Sequence, residues 1–207
     1  RESGIGTRAL RGLARADAFG SMGLDRQRAL WQIKPLRDAA MPLFETVDGT
    51  DQQEAAAGLD RLPSIAPATR VLQDYSAVGL SLKAHPVSFV REDLAQRGAI
   101  TARDLRNETQ CLAKRSVSVA GLVLCRQRPG TASGVTFITL EDETGITNLI
   151  IWKDTFERYR RIGRLARLLL AHGTVERQGI VVHVHVHRLE SIDSMLSGVA
   201  VTSRDFH

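Results

Sequence analysis

Three histidines alternate with valines over residues 180–187. Val182, Val184 and Val186 share one parity, and His183, His185 and His187 share the other. Imidazoles on one strand face can ligate a metal. Alternate side chains of a strand stand roughly 7 Å apart, too far for three to share one ion easily. The pattern fits better a polar strand face that gains charge at acidic pH. Carboxylates gather at Glu141-Asp142-Glu143, but Thr144-Gly145 follows between two apolar runs. That reads as the turn joining two strands, not as a metal site. His85 precedes Pro86, and the pattern around it suggests no Ser, Cys or carboxylate partner to complete a catalytic pair. It reads as a structural or phosphate-facing histidine. Without a nucleophile–base set or a metal cluster, an enzyme complete in itself is disfavoured.

The elements that hold these residues follow from periodicity. Over 115–189 the order is strand, strand, strand, helix, strand, strand, the order of a five-stranded OB barrel. The first strand spans 116–125, and Gly121 stands where its apolar parity flips, the signature of a bulge. Strands two and three span 135–140 and 147–152. Phe137 falls either in the core or on the outer face. A helix over 153–161 presents Phe156 and Tyr159 inward, with Arg158, Arg160, Arg161 and Arg164 outside. Strands four and five span 165–175 and 180–187, joined by a turn at Glu176-Arg177-Gln178-Gly179. The barrel's open face and loops commonly hold single-stranded nucleic acid. Arg126 and Arg128, on the first loop, and Arg177, on the second, are therefore candidate DNA contacts, with Lys153 at the helix start. A solvated loop carries the same residues.

Upstream the pattern is helical. Gly4-Ile5-Gly6 opens a helix with Leu10, Leu13 and Ala14 at core-facing spacing. Two glycines flanking an apolar residue before a helix match the turn of a helix-hairpin-helix. Its first amides, with Gly4, Gly6, Thr7 and Arg8, would meet a phosphate. An ordinary helix–helix turn is the alternative. Ala18, Phe19 and Met22 read as core, and Asp25 as the cap of the next helix. That helix has Ala29, Leu30 and Ile33 on its stripe and Arg26 outside it. Pro35 ends it. Residues 35–67 are rich in Ala, Gly, Pro, Asp and Gln and read as a linker. Within it Met41, Pro42, Leu43 and Phe44 form an apolar tetrapeptide suited to docking in a partner's pocket, or to folding back on its own domain. Helices follow over 68–78 and 87–94, with a capped turn at 101–105.

The expected organisation is α+β: an all-helical helix-hairpin-helix segment over 1–34, a linker over 35–67, connecting helices over 68–112, an OB barrel over 113–192 and a tail over 193–207. The chain has 207 residues, 43% hydrophobic, which is enough for a proper core. Net charge is +5 with a sequence pI near 9.8. That bias suits a polyanionic partner, and equally an Arg-rich solvated surface. Two cysteines, Cys111 and Cys125, make neither a disulfide framework nor a zinc pattern. Cys125, in a strand pattern, is expected to pack as a small apolar residue. No apolar run is long enough to span a bilayer, and a reducing, cytoplasmic setting is expected. The opening at Arg1, with no initiator Met, suggests the C-terminal piece of a longer polypeptide.

Three blocks in order, ADAFGSMGLDRQRALW, DYSAVGLSLKAHPVSFVR and VAGLVLCRQRPGTASGVTFITLEDETGITNLIIW, resemble the C-terminal third of DnaE-type error-prone DNA polymerases (the ImuC family). GLSLKAHP and FITLEDETG are the most specific, and the terminal SRDFH is similar to that family's C-terminus. MPLF resembles the core of bacterial clamp-binding peptides without their leading glutamine. The resemblance implies a bacterial translesion polymerase of SOS mutagenesis, acting with ImuB, ImuA and the sliding clamp. Its palm would use Mg²⁺ for phosphoryl transfer. No palm aspartate cluster is present, so this region is expected to be non-catalytic, needing no cofactor of its own. It would position duplex and single-stranded template DNA. The alternative is a protein-interaction module that recruits ImuB, ImuA or the clamp. The low aromatic content, 5%, favours that rival.

Overall fold

The computed structural model describes residues 5–36, 62, 64–131 and 134–196, and the backbone of 204–205. The chain forms two compact units, Arg1–Ser81 and Leu82–His207. The boundary thus falls inside the segment expected to connect the domains.

The first unit holds α1 (Thr7–Arg15), α2 (Arg26–Ile33) and α3 (Pro67–Val78). Ala14, Ala29 and Ile33 form its buried centre, with Leu10, Phe19, Leu24, Leu30 and Leu36 against it. Asp25 caps α2, accepting from Arg28 N at 2.9 Å. Leu13, Ala18 and Met22, read as core, are exposed. The 3₁₀ turn at Gly20–Met22 points the methionine outward instead of extending the helical stripe. Arg26 reverses the expectation the other way. Its side chain is buried, paired with Asp74 of α3 and donating to Gln73 Oε1 at 2.8 Å. Ser81 Oγ donates to the second Asp74 oxygen at 2.6 Å. This polar knot fastens α2 to α3, and its partners lie too far apart in sequence for any periodicity to reveal.

The second unit is a closed barrel. Its strands are β2 (Ser116–Gln127), β3 (Thr136–Asp142), β4 (Gly145–Ile151), β5 (Leu168–Gln178) and β6 (Val181–Ser191). β2 pairs with β3, β3 with β4, β4 in parallel with β6, β6 with β5, and β5 returns to β2. This is the OB topology. Closure leaves no free sheet edge around the core, where Val119, Ile138, Leu140, Leu149, Ile151, Leu169 and Val184 meet. Two short strands extend β2 in parallel: β1 (Ala99–Ile100), and β7 (Arg204–Asp205) opposite Cys125 and Arg126.

The bulge in β2 lies between Val123 and Cys125, downstream of Gly121. Gly121 serves close approach instead. A Cβ there would stand 2.6 Å from Glu141 O of β3. The expected single helix after β4 is two, α6 (Lys153–Arg158) and α7 (Arg160–Leu165), broken at Tyr159. The break brings Gly163 against the buried Phe156 ring, which an added Cβ would meet at 2.9 Å. Cys111 is the buried cysteine. Cys125 is half-buried, opposite Thr139 on the barrel exterior.

Candidate nucleic-acid interface

The outer face of β3, β4 and β6 is fixed by alternation. Ile138, Leu140, Leu149, Ile151 and Val184 point into the barrel, so their neighbours point out. The register aligns Phe137, Ile150 and His185 in one row across the three strands, and Thr139, Asn148 and His183 in the next. Phe137 is therefore on the outer face, half-buried. Beyond Ile151 the alternation turns Trp152 outward, 55% exposed. Its indole Nε1 donates to His185 Nδ1 at 3.3 Å. On its other side the imidazole Nε2 donates to Glu176 of β5. Hydrogen bonds from His185 and then Gln178 hold the Glu176 carboxyl below its ordinary pKa range. The histidine face is thus joined to an aromatic and a carboxylate. Among the described residues no three His, Cys, Asp or Glu side chains gather as metal ligands.

Two of the three arginines read as loop residues lie in strands. Arg126 is within β2 and opposite Ile138, on the side of the barrel core. It donates from Nε to Gly163 O at 2.7 Å and from Nη2 to Ala166 O, closing the C-terminal end of α7. Arg177 is within β5. It donates to Cys111 O at 3.1 and 2.9 Å, Leu105 O at 2.6 Å and Arg106 O at 3.3 Å. It therefore holds the segment leading into the barrel. Both guanidiniums serve as clamps on backbone carbonyls. Arg128 does lie beyond its strand. It sits 5.6 Å over the Phe156 ring and 3.7 Å from Glu157, and remains substantially exposed. Lys153 is exposed at the start of α6, its stem about 3.2 Å from where a Gly134 Cβ would sit. Lys153 and Trp152 are consecutive, so a cation borders the indole.

In the helical unit, Gly6 is the N-cap of α1 and provides no side-chain acceptor for the first turn. Arg8 is exposed and Thr7 half-buried. Gly4, and Met41, Pro42, Leu43 and Phe44, lie outside the described residues.

The acidic turn and His85 meet each other. A 3₁₀ turn at Pro86–Val90 leads into α4 (Arg91–Gln96). His85 Nε2 stands 3.6 Å from Glu141, and Arg91 bonds both Asp142 and Glu143. The buried Asp142 also accepts from Ala102 N at 2.8 Å, Thr144 N at 2.7 Å and Gly145 N at 3.0 Å. It thereby shapes the β3–β4 turn and seats α5 (Ala102–Arg106) on it. Burial outweighs the neighbouring carboxylates and lowers the His85 pKa from its ordinary value. Burial also works against the Arg91 charge, but Glu143 and Asp142 more than offset it and raise its pKa.

The features that sequence reasoning missed are Trp152 and the His185–Glu176 pair. Alternation continued one residue past Ile151 was the available signal for the first. The second needed the β5–β6 register, which sets Glu176 opposite His183 and Thr174 opposite His185.

Residues 117–192 match a family model described as an OB-fold nucleic acid binding domain. The chain is 46% identical, over 99% of its length, to error-prone DNA polymerase 1 of Rhizobium meliloti (strain 1021), covering 18% of that protein. It is 40% identical, over its whole length, to error-prone DNA polymerase of Caulobacter vibrioides, covering 20% of it. Asparaginyl-tRNA synthetase from Pyrococcus horikoshii superposes with a TM-score of 0.38 at 26% identity, over 45% of this chain and 23% of that one. That likeness is too shallow to carry a conclusion. Among the described residues no helix is long and apolar enough to cross a membrane. The barrel therefore has an OB fold that matches the nucleic acid binding family model over residues 117–192, and the chain is similar over essentially its whole length to a stretch making up about a fifth of error-prone DNA polymerases.

Proposed function

We propose that this chain is a non-catalytic, DNA-engaging region of an error-prone DNA polymerase, whose OB barrel guides single-stranded template. The observation that carries the reading is the OB-fold nucleic-acid-binding match inside a chain homologous throughout to such polymerases. The outer barrel face adds support, with Phe137 and the exposed Trp152 on it, Lys153 next to Trp152 in sequence, and the exposed Arg128 beyond the end of β2. Bases stack on aromatic rings, and phosphates are drawn to the neighbouring cations. The uncapped first turn at Gly6, with Thr7 and Arg8, suits a duplex phosphate, and this extends the proposal to primed DNA. Translesion synthesis in the bacterial cytoplasm, with Mg²⁺ at a palm elsewhere in the polymerase, is the activity the region would serve.

The test is binding of the chain to single-stranded and primed oligonucleotides at two salt concentrations. Affinity should fall steeply with salt, because phosphate contacts release counterions. Absence of binding at low salt overturns the proposal.

A second reading is recruitment of ImuB, ImuA or the sliding clamp. Ile180, on the β5–β6 turn, is 99% exposed and Val181 beside it is exposed, an apolar tip suited to a protein partner. Met41, Pro42, Leu43 and Phe44 would dock the clamp. Clamp retention unchanged in L43A/F44A removes that role.

A further inference from the structure

The indole of Trp152 and the imidazole of His185 are nearly parallel, 20° apart, with centroids separated by 6.0 Å. The hydrogen bond between them is 3.3 Å, from Nε1 to Nδ1. An indole N–H lies in its own ring plane. The hydrogen bond and the near-parallel ring planes together hold the indole in one orientation against the imidazole. An acceptor at Nδ1 requires the neutral imidazole that carries its proton on Nε2, and that proton is directed at Glu176. Glu176 thus fixes the tautomer, the tautomer provides the acceptor, and the acceptor holds the indole.

Such a relay is unusual for a tryptophan serving only to fill space. The indole is more than half exposed, and it contributes nothing to the buried cluster of the barrel. An exposed aromatic ordinarily samples several rotamers, and ordering it on a ligand costs entropy. Here the cost is met within the fold. Lys153 is the next residue, and the Phe137–Ile150 row continues the apolar surface beside His185. The carboxylate in the neighbourhood is turned to the imidazole, which limits its repulsion of a phosphate.

We infer that Trp152 is the base-stacking contact of this barrel for single-stranded DNA, and that His185, oriented by Glu176, is its positioning residue. The inference rests on the DNA-engaging reading of the barrel and names the residues that would perform it. A flat, preset ring accepts any base by its π-face, so the site is indifferent to sequence, as a template-guiding surface must be.

Trp31 and Trp152 are the two tryptophans of the chain. In W31F the emission reports Trp152 alone. Titration of W31F with oligothymidylate should quench it saturably, and W152A should bind that probe about tenfold more weakly than the wild type. H185A should lose part of the affinity. H185Q should recover it, because its amide oxygen can accept from the indole. Binding by W31F without quenching, or binding by W152A equal to wild type, overturns the inference while leaving the DNA-engaging reading intact. Failure of the wild type to bind oligothymidylate at low salt overturns both.

Discussion

Arg91 clasps Glu143 through two parallel hydrogen bonds, Nε to Oε1 at 2.5 Å and Nη2 to Oε2 at 2.9 Å, across 52 residues of sequence. The same guanidinium reaches Asp142 at 3.2 Å. A bidentate fork with a second carboxylate is a geometry that lysine cannot reproduce. It joins the two blocks that best mark the family resemblance, the His85 region and the β3–β4 turn.

Asp142→Ala removes the acceptor for three backbone amides and leaves Arg91 half-compensated. The barrel unit should lose about 3 kcal/mol, the usual cost of breaking a buried ion pair from one side. Urea unfolding measures this. A change under 1 kcal/mol would show that water replaces the carboxylate and that the turn is not its dependent.

Arg126 and Arg177 should separate from Arg128 and Lys153 by readout. R177A orphans carbonyls at Leu105, Arg106 and Cys111, and should lower stability by about 2 kcal/mol while leaving the salt slope of DNA binding unchanged. R128A and K153A should behave oppositely, with little effect on stability and a salt slope reduced by about one charge each. Thermal melts and salt titrations of the three variants decide between clamp and contact.

In the helical unit, Asp74→Ala strands the buried Arg26 charge and should cost about 3 kcal/mol. The double variant R26M/D74L should return to within about 1 kcal/mol of wild type, since an apolar pair avoids the desolvation cost. A double-mutant cycle by chemical denaturation measures the coupling. Additive losses would refute it.

Two glycines should answer alanine with opposite signs. Gly121→Ala drives a methyl into Glu141 O and should destabilise by about 1–3 kcal/mol. Gly12 lies inside α1 with open space around its Cβ position. There alanine should stabilise by about 0.5–1 kcal/mol, through the smaller entropy of the unfolded chain. Melting temperatures of the pair provide the comparison.

His85 contributes a pH dependence. Its folded pKa lies below the unfolded value near 6.5. The unfolded chain therefore binds the proton more readily. The contribution is fully present above that pH and is lost as pH falls toward the folded pKa. His85→Asn should flatten the fall in urea midpoint just below pH 6.5. An unchanged slope would assign that fall to other groups.

The sequence by itself determined the order of the five barrel strands, the barrel topology and the turn at Gly145. Local periodicity and turn chemistry encode those directly, and a closed five-stranded barrel is the arrangement that buries such strands without edges. It also marked Asp25 and Thr101 as caps, because a cap and its amide are three residues apart. Tertiary structure alone decided the fate of the charges. Arg26, Arg91, Arg126 and Arg177 look alike in sequence, yet their partners lie 37 to 72 residues away. Whether an arginine meets solvent, a carboxylate or a row of carbonyls depends on which distant backbone folds against it, and periodicity carries no information about that. The platform at Trp152 is the same case. Alternation can turn a ring outward, but only the register of β4, β5 and β6 brings His185 and Glu176 to its edge.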